Sequence, residues 1–164
     1  MGFDLNRAIR GRVWKFGDSI ETDAINPYYR YPTMEELKQH TMEVYRPEFP
    51  QQVKPGDIMV TGRNFGCGSS RPGLVLREVG IAAIVAESVA RLFLRNSISR
   101  AIPIFVAPGV TGIVQDGETL EVDYPGAVIR NTATGASVPL QVPDMPEAPV
   151  QLEATYHLGL PEPS

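Results

Sequence analysis

Between Pro55 and Ala107 short apolar runs alternate with helix-patterned segments, and this alternation narrows the fold more than any other feature of the chain. "PGDIMVTG" reads as a turn followed by a buried strand, Asp57 to Thr61. A glycine-rich loop follows, and then "RPGLVLREVG" predicts a short helix closing at Gly80. "IAAIVAES" is an unbroken apolar run of strand length, the pattern of a strand covered on both faces in a parallel sheet. "VARLFLRNSISRA" has helical spacing, with Val89, Leu92, Phe93 and Ile98 on one side, and "IPIFVAPG" reads as a further strand. Strands joined through helices in this order make an α/β unit, because parallel strands need long crossovers.

The flanks extend that unit. A strand is expected from Arg12 to Phe16, then the acidic loop "GDSIETDAINP". One helix is expected between Thr33 and Val44, with Thr33 as N-cap and Glu36 completing a capping box. Beyond Gly109 the texture changes. Asp116-Gly117, Pro125-Gly126 and Thr134-Gly135 punctuate short alternating runs, which predicts a β meander. The tail from Val142 is proline-rich, and its last ~20 residues are expected to pack loosely. The expected architecture is α/β in one domain over residues 1–164: a small mixed sheet flanked by helices, with additional short antiparallel strands.

Composition removes several function classes. A length of 164 residues is enough to bury a core. A net charge of −4 leaves no broad basic face for nucleic acid or an anionic membrane. No apolar run reaches the roughly 18 residues of a spanning helix. "MGFDLNRAIRGRVWKFGD" lacks a signal peptide's apolar stretch, and Asn6 stands where a myristoylation motif needs Ser or Thr, so a cytoplasmic location is expected. Cys67 is the single cysteine, which excludes an internal disulfide and a multi-thiolate metal site built by this chain alone. An iron–sulfur cluster needs about three or four thiolates, so any cluster must come from a partner. His40 and His157 show no local ligand spacing, and no metal site is expected here.

The chemistry concentrates in "GRNFGCGSSRPG". Gly62, Gly66 and Gly68 permit positive φ and close backbone approach. Pro72 suits the first turn of the following helix, which would place Ser69, Ser70 and Arg71 beside its unpaired N–H groups. Arg71 can grip a carboxylate through two parallel hydrogen bonds, and a briefly deprotonated serine would be stabilised by the same field. The competing reading is a tight turn in which Ser69 or Ser70 merely caps the helix. A P-loop is excluded because no Gly-Lys-Ser/Thr ending is present, and G-x-S-x-G is absent. Cys67 as a nucleophile, with His40 or His157 as base, is a weaker alternative because neither histidine sits in a motif. In the acidic loop, Asp18, Glu21 and Asp23 form either a solvated turn or a set in which one carboxylate orients an active-site arginine such as Arg71. Their spacing fits no calcium loop.

Taken together, "GDSIETD", "NFGCGSSR" and "AESVARLFLRN" resemble, in order, the motifs of the 3-isopropylmalate dehydratase small subunit and aconitase swivelling-domain family. The resemblance covers about residues 11 to 115. It implies a swivelling β/β/α domain and a hydro-lyase active only with a large subunit, which carries a 4Fe–4S cluster. It also implies a place in leucine biosynthesis. On the residues, it implies that Ser69 is the base for the carbon-bound proton, that Ser70 and Arg71 hold a substrate carboxylate, and that Asp23 and Gly68 support the site. The substrate would be a hydroxy di- or tricarboxylate, with isopropylmalate first and dimethylmalate or homocitrate-type acids next. Two departures stand out. Pro72-Gly73 follow Ser-Ser-Arg where the family commonly has Glu and then His or Gln. "AINPYYRYPTMEE" replaces an apolar specificity stretch, and its Arg30 either reads an extra carboxylate or lies on the surface. The rival classes are a divergent paralogue acting on another malate derivative and a non-catalytic anion-binding module.

Overall fold

The structure is a computed structural model and describes residues 7–69, 73–98, 100 and 102–141. Seven strands form one mixed sheet: β1 (Ile9–Lys15), β2 (Ile58–Thr61), β3 (Ala83–Ala86), β4 (Ile104–Val106), β5 (Thr119–Asp123), β6 (Val128–Asn131) and β7 (Ser137–Pro139). Their order is β4-β3-β2-β1-β5-β6-β7. The β4-β3-β2-β1 half is parallel, and β1 turns the sheet antiparallel by pairing with β5. The helices are α1 (Thr22–Ile25), α2 (Met34–His40), α3 (Phe49–Gln52), α4 (Leu74–Glu78) and α5 (Arg91–Ile98). The expected α/β class, the mixed sheet and the antiparallel meander are all present.

Alternation along the strands divides the core in two. Trp14, Met59, Ile84 and Ile104 face the helices and pack with Leu37, Phe49, Leu76, Phe93 and Ile98. Val13, Ile58, Val60, Val85 and Phe105 face the other way, onto Leu120, Val122, Ile129 and Val110. The sheet curls far enough that the chain just past β7 meets β4, where the Gln141 N–H donates to the Val106 carbonyl at 2.8 Å. Central strands β2 and β3 are therefore buried on both faces, as their unbroken apolar runs require. Each large side chain so buried contributes about 1.5–3 kcal/mol.

Several boundaries differ from the sequence expectation, each for a tertiary reason. Strand β1 starts at Ile9, not Arg12, because Ile9–Arg12 pair with β5. Helix α2 ends at His40, short of Val44. Thr41 leaves the helix to donate its hydroxyl to the Ile25 carbonyl (2.8 Å), and Met42 takes a positive φ of 62°. The Thr33 hydroxyl accepts from the Glu36 N–H (3.2 Å) as expected of the cap, but the Glu36 carboxylate accepts from that same hydroxyl rather than from a backbone N–H. The buried face of α5 is Phe93, Leu94, Ser97 and Ile98. Leu92 points outward at 60% exposure, and Val89 precedes the helix, bridged to Phe65. The acidic loop contains the helical turn α1, and α3 lies in a stretch read as irregular. The proline-rich tail falls outside the described residues.

One polar cluster fixes the segment leading from α2 to α3. The Arg46 guanidinium bonds Asp116 (2.6 Å) and Glu48 (2.8 Å) and lies over the Trp14 ring, 4.7 Å from its centroid. Burial pushes the Asp116 carboxyl up, but the Arg46 bond and the Lys15 N–H outweigh it and hold the group below its ordinary range.

Candidate active site

Two loops leave the carboxyl ends of neighbouring parallel strands β1 and β2 and zip together. The Gly62 N–H donates to the Gly17 carbonyl (3.0 Å), and the Arg63 N–H to the Asp18 carboxylate (2.7 Å). Farther along, the Gly66 and Cys67 N–H groups donate to the Ile20 carbonyl (2.8 and 3.2 Å), and the Thr22 N–H donates to the Cys67 carbonyl (2.9 Å). Beneath the loop, Phe65 is fully buried and meets Phe93 edge-on, with centroids 5.4 Å apart.

Three glycines are demanded by this path. A Cβ at Gly62 would run into the Asp18 carboxylate and the Gly17 backbone where the two loops join. Gly66 has φ +81° and lies so close to the Phe93 ring that any Cβ would run into it. Gly68 has φ +102°, but a Cβ there would make only ordinary contact with Thr22.

The last described residue of this zipper is Ser69. Its N–H donates to Thr22 Oγ1 at 3.1 Å, and its own Oγ lies 2.8 Å from that same oxygen. Ser69 is exposed, whereas Thr22 is buried at 1% exposure. A hydroxyl has one proton and two lone pairs. Thr22 Oγ1 can thus accept the Ser69 N–H and still direct its proton at Ser69 Oγ. Sequence reasoning missed Thr22. Its only signal was its place beside Asp23, with nothing to show that the side chain turns inward.

The structure corrects the helix-terminus argument for Ser69. Helix α4 begins at Leu74 with Gly73 as its N-cap and no side-chain capping bond. Ser69 therefore neither caps this helix nor sits on its first turn; Thr22 positions it instead. Ser70, Arg71 and Pro72 lie outside the described residues.

The acidic loop divides into distinct roles. Asp18 is occupied in holding Arg63. Glu21 and Asp23 are exposed and line a cleft of about 280 Å³ together with Pro27, Tyr29, Arg30, Tyr31, His40, Glu43 and Tyr45. Turn α1 thus has Ser69 against Thr22 and the Arg30 cleft beside Asp23. Cys67 is half-buried, its thiol directed at the Ile20 carbonyl at 3.7 Å. His40 is stacked on Tyr31 and bonded to Glu43, so it is not held as a base for Cys67. His157 is outside the described residues. Among the described residues no group of three or more His, Cys, Asp or Glu side chains could hold a metal, and no helix is long and apolar enough to cross a membrane.

The family model described as the aconitase C-terminal domain matches residues 4–107. The chain belongs to that family. It is 46% identical over 135 residues to the 3-isopropylmalate dehydratase small subunit 1 of Methanopyrus kandleri, covering 80% of this chain and 79% of that one. It is 48% identical to the isopropylmalate/citramalate isomerase small subunit of Methanocaldococcus jannaschii, covering 80% of each. Against the methanogen homoaconitase small subunit of Methanothermobacter thermautotrophicus the identity is 47%, over 78% of this chain and 76% of that one. The solved structure of 3-isopropylmalate dehydratase from Methanocaldococcus jannaschii superposes with a TM-score of 0.79 at 36% identity, covering 93% and 94% of the two chains. The motif resemblance and the swivelling-domain fold are therefore borne out.

Proposed function

We propose that the chain is the small subunit of a two-subunit hydro-lyase that reversibly dehydrates a hydroxy di- or tricarboxylic acid, with Ser69 as the base on the carbon-bound proton. The observation that carries this reading is the exposed Ser69 hydroxyl 2.8 Å from the buried Thr22 hydroxyl, at the end of a loop fixed by backbone bonds. Small-subunit names among its relatives support a large partner. This chain has one cysteine, Cys67, against the roughly three or four thiolates an iron–sulfur cluster needs, and the 4Fe–4S group is assigned to that partner. When bound there, it supplies a Lewis acid for the substrate hydroxyl.

On this chain, Ser69 Oγ takes the proton from carbon. Its developing negative charge is met by the Thr22 hydroxyl, which is already oriented because its oxygen accepts the Ser69 N–H. Gly68 gives the backbone the left-handed step that delivers Ser69 to Thr22. Ser70 and Arg71 hold a substrate carboxylate, the arginine by its planar fork. Asp23 supports the site from the first turn of α1, and Arg30 faces the substrate's variable group. Replacing Thr22 with valine, which matches its shape, is expected to lower kcat about 100-fold with little change in KM, while Thr22→Ser keeps most of the activity. Steady-state kinetics on the assembled enzyme read this directly.

The relatives' names span apolar and carboxylate-bearing substrates, so isopropylmalate is the first candidate, followed by citramalate- and homoaconitate-type acids. The decisive test is anaerobic co-expression with a cluster-bearing large subunit, followed by assay on a panel of malate derivatives. Turnover only in the mixture supports the split site in the cytoplasmic enzyme proposed. A loaded complex that turns over nothing points to another malate derivative. Failure to form a complex favours an anion-binding module.

A further inference from the structure

The cleft beside turn α1 holds one arginine among three carboxylates, and the arginine pairs with none of them. Glu21, Asp23 and Glu43 line the cleft with Arg30. At an exposed site an ion pair gains only about 0–1 kcal/mol, so a ring contact can compete with it for the guanidinium. Arg30 Cζ lies over the Tyr31 ring, 5.8 Å from its centroid, within reach of a cation–π contact. Tyr31 is in turn stacked on His40, with centroids 3.6 Å apart and planes 2° from parallel. His40 Nδ1 lies 3.0 Å from Glu43 Oε1, which occupies that carboxylate of the cleft.

The stack is anchored at both ends. The Arg30 and Tyr31 N–H groups both donate to the carbonyl of buried Pro27 (3.1 and 3.0 Å), closing a turn. His40 is the last residue of α2. Directly after it, the buried Thr41 hydroxyl donates to the Ile25 carbonyl (2.8 Å) and the Met42 N–H to the Ala24 carbonyl (2.9 Å). A continuous path therefore runs from turn α1, which carries Thr22, through α2 and the ring stack to the Arg30 guanidinium.

We propose that His40 is a positioning residue for substrate selection: by stacking on Tyr31 and engaging Glu43 it holds Arg30 off the cleft's own carboxylates and ready for a carboxylate on the substrate's variable group. The inference rests on the reading of Arg30 as a substrate-side residue. It moves a hydroxy tricarboxylate of the homocitrate type ahead of isopropylmalate, which is the first candidate on the relatives' names alone.

The test compares kcat and KM for those two substrates in the reconstituted two-subunit enzyme, using wild type, Arg30→Ala, His40→Ala, the double variant and His40→Phe. Co-elution with the large subunit verifies assembly. The expected result is that His40→Ala raises KM for the tricarboxylate about tenfold, leaves its kcat unchanged, and leaves the apolar substrate alone. Arg30→Ala removes the same preference, the double variant is no worse than Arg30→Ala, and His40→Phe recovers most of the preference by restoring a stacked ring. Equal losses on both substrates, or a loss confined to kcat, would make His40 merely structural. If Arg30→Ala erases the preference and His40→Ala does not, the stack plays no part but the reading of Arg30 stands. A wild type with no preference for the tricarboxylate, or one unchanged by Arg30→Ala, overturns both.

Discussion

Replacing Ser69 with alanine is expected to cut kcat of the assembled enzyme by about three orders of magnitude while leaving subunit assembly and the fold intact. Ser69 is exposed, so its hydroxyl contributes nothing to the core. The bonds that set the loop's path, Gly66 and Cys67 to Ile20 and Thr22 to Cys67, are backbone bonds that alanine preserves. Even the Ser69 N–H bond to Thr22 survives, because it too belongs to the backbone. What is removed is the hydroxyl, with its proton-accepting oxygen and its side-chain bond to Thr22 Oγ1. The most direct measurement is exchange of the substrate's carbon-bound hydrogen with solvent, alongside steady-state kcat and KM. Lost exchange with KM unchanged is the outcome a missing base requires. A Ser69→Ala enzyme that still exchanges this hydrogen would remove the base assignment, and the interaction with Thr22 would then be a loop latch only.

The division between what was legible and what was not follows from where each element gets its stability. Strands β2, β3 and β4 could be read because burial on both faces demands unbroken apolar runs, and their residues supply them. Thr33 could be recognised as an N-cap because capping is local chemistry. Turns α1 and α3 could not. A four-residue helix has no propensity signal of its own, and α1 is held by Thr41 and Met42, distant in sequence. The first half of β1 is likewise defined by its partner β5. In α5 the spacing suggested Leu92, but the core takes Leu94 beside Phe93. At the site, the glycine loop announced itself by composition, and Ser69 by the motif around it. Thr22 did not, because inward orientation of one threonine is a property of the two zipped loops together. The helix-field argument misplaced Ser69 because Gly73, not a serine, opens α4.

The same zipper makes Gly66→Ala a costly substitution for stability, about 3–5 kcal/mol, or a fall in Tm of roughly 10 °C. Two penalties add at this position. The φ of +81° costs any L side chain about 1–2 kcal/mol, and the new methyl would run into the Phe93 ring. Phe93 is fully buried against Phe65 and cannot yield without opening the core beneath the loop. Gly68→Ala is the internal control. Its φ of +102° is equally unfavourable, but the added methyl would meet only Thr22 Oγ1 at an ordinary 3.5 Å. It should therefore lose only about 1–2 kcal/mol, roughly 3–5 °C by thermal denaturation. Equal losses at the two glycines would show that ring packing does not set the loop's height and that backbone conformation alone does. A clear excess at Gly66, relieved by Phe93→Leu in the same chain, would identify the Phe93 ring as the floor on which the loop carrying Ser69 rests.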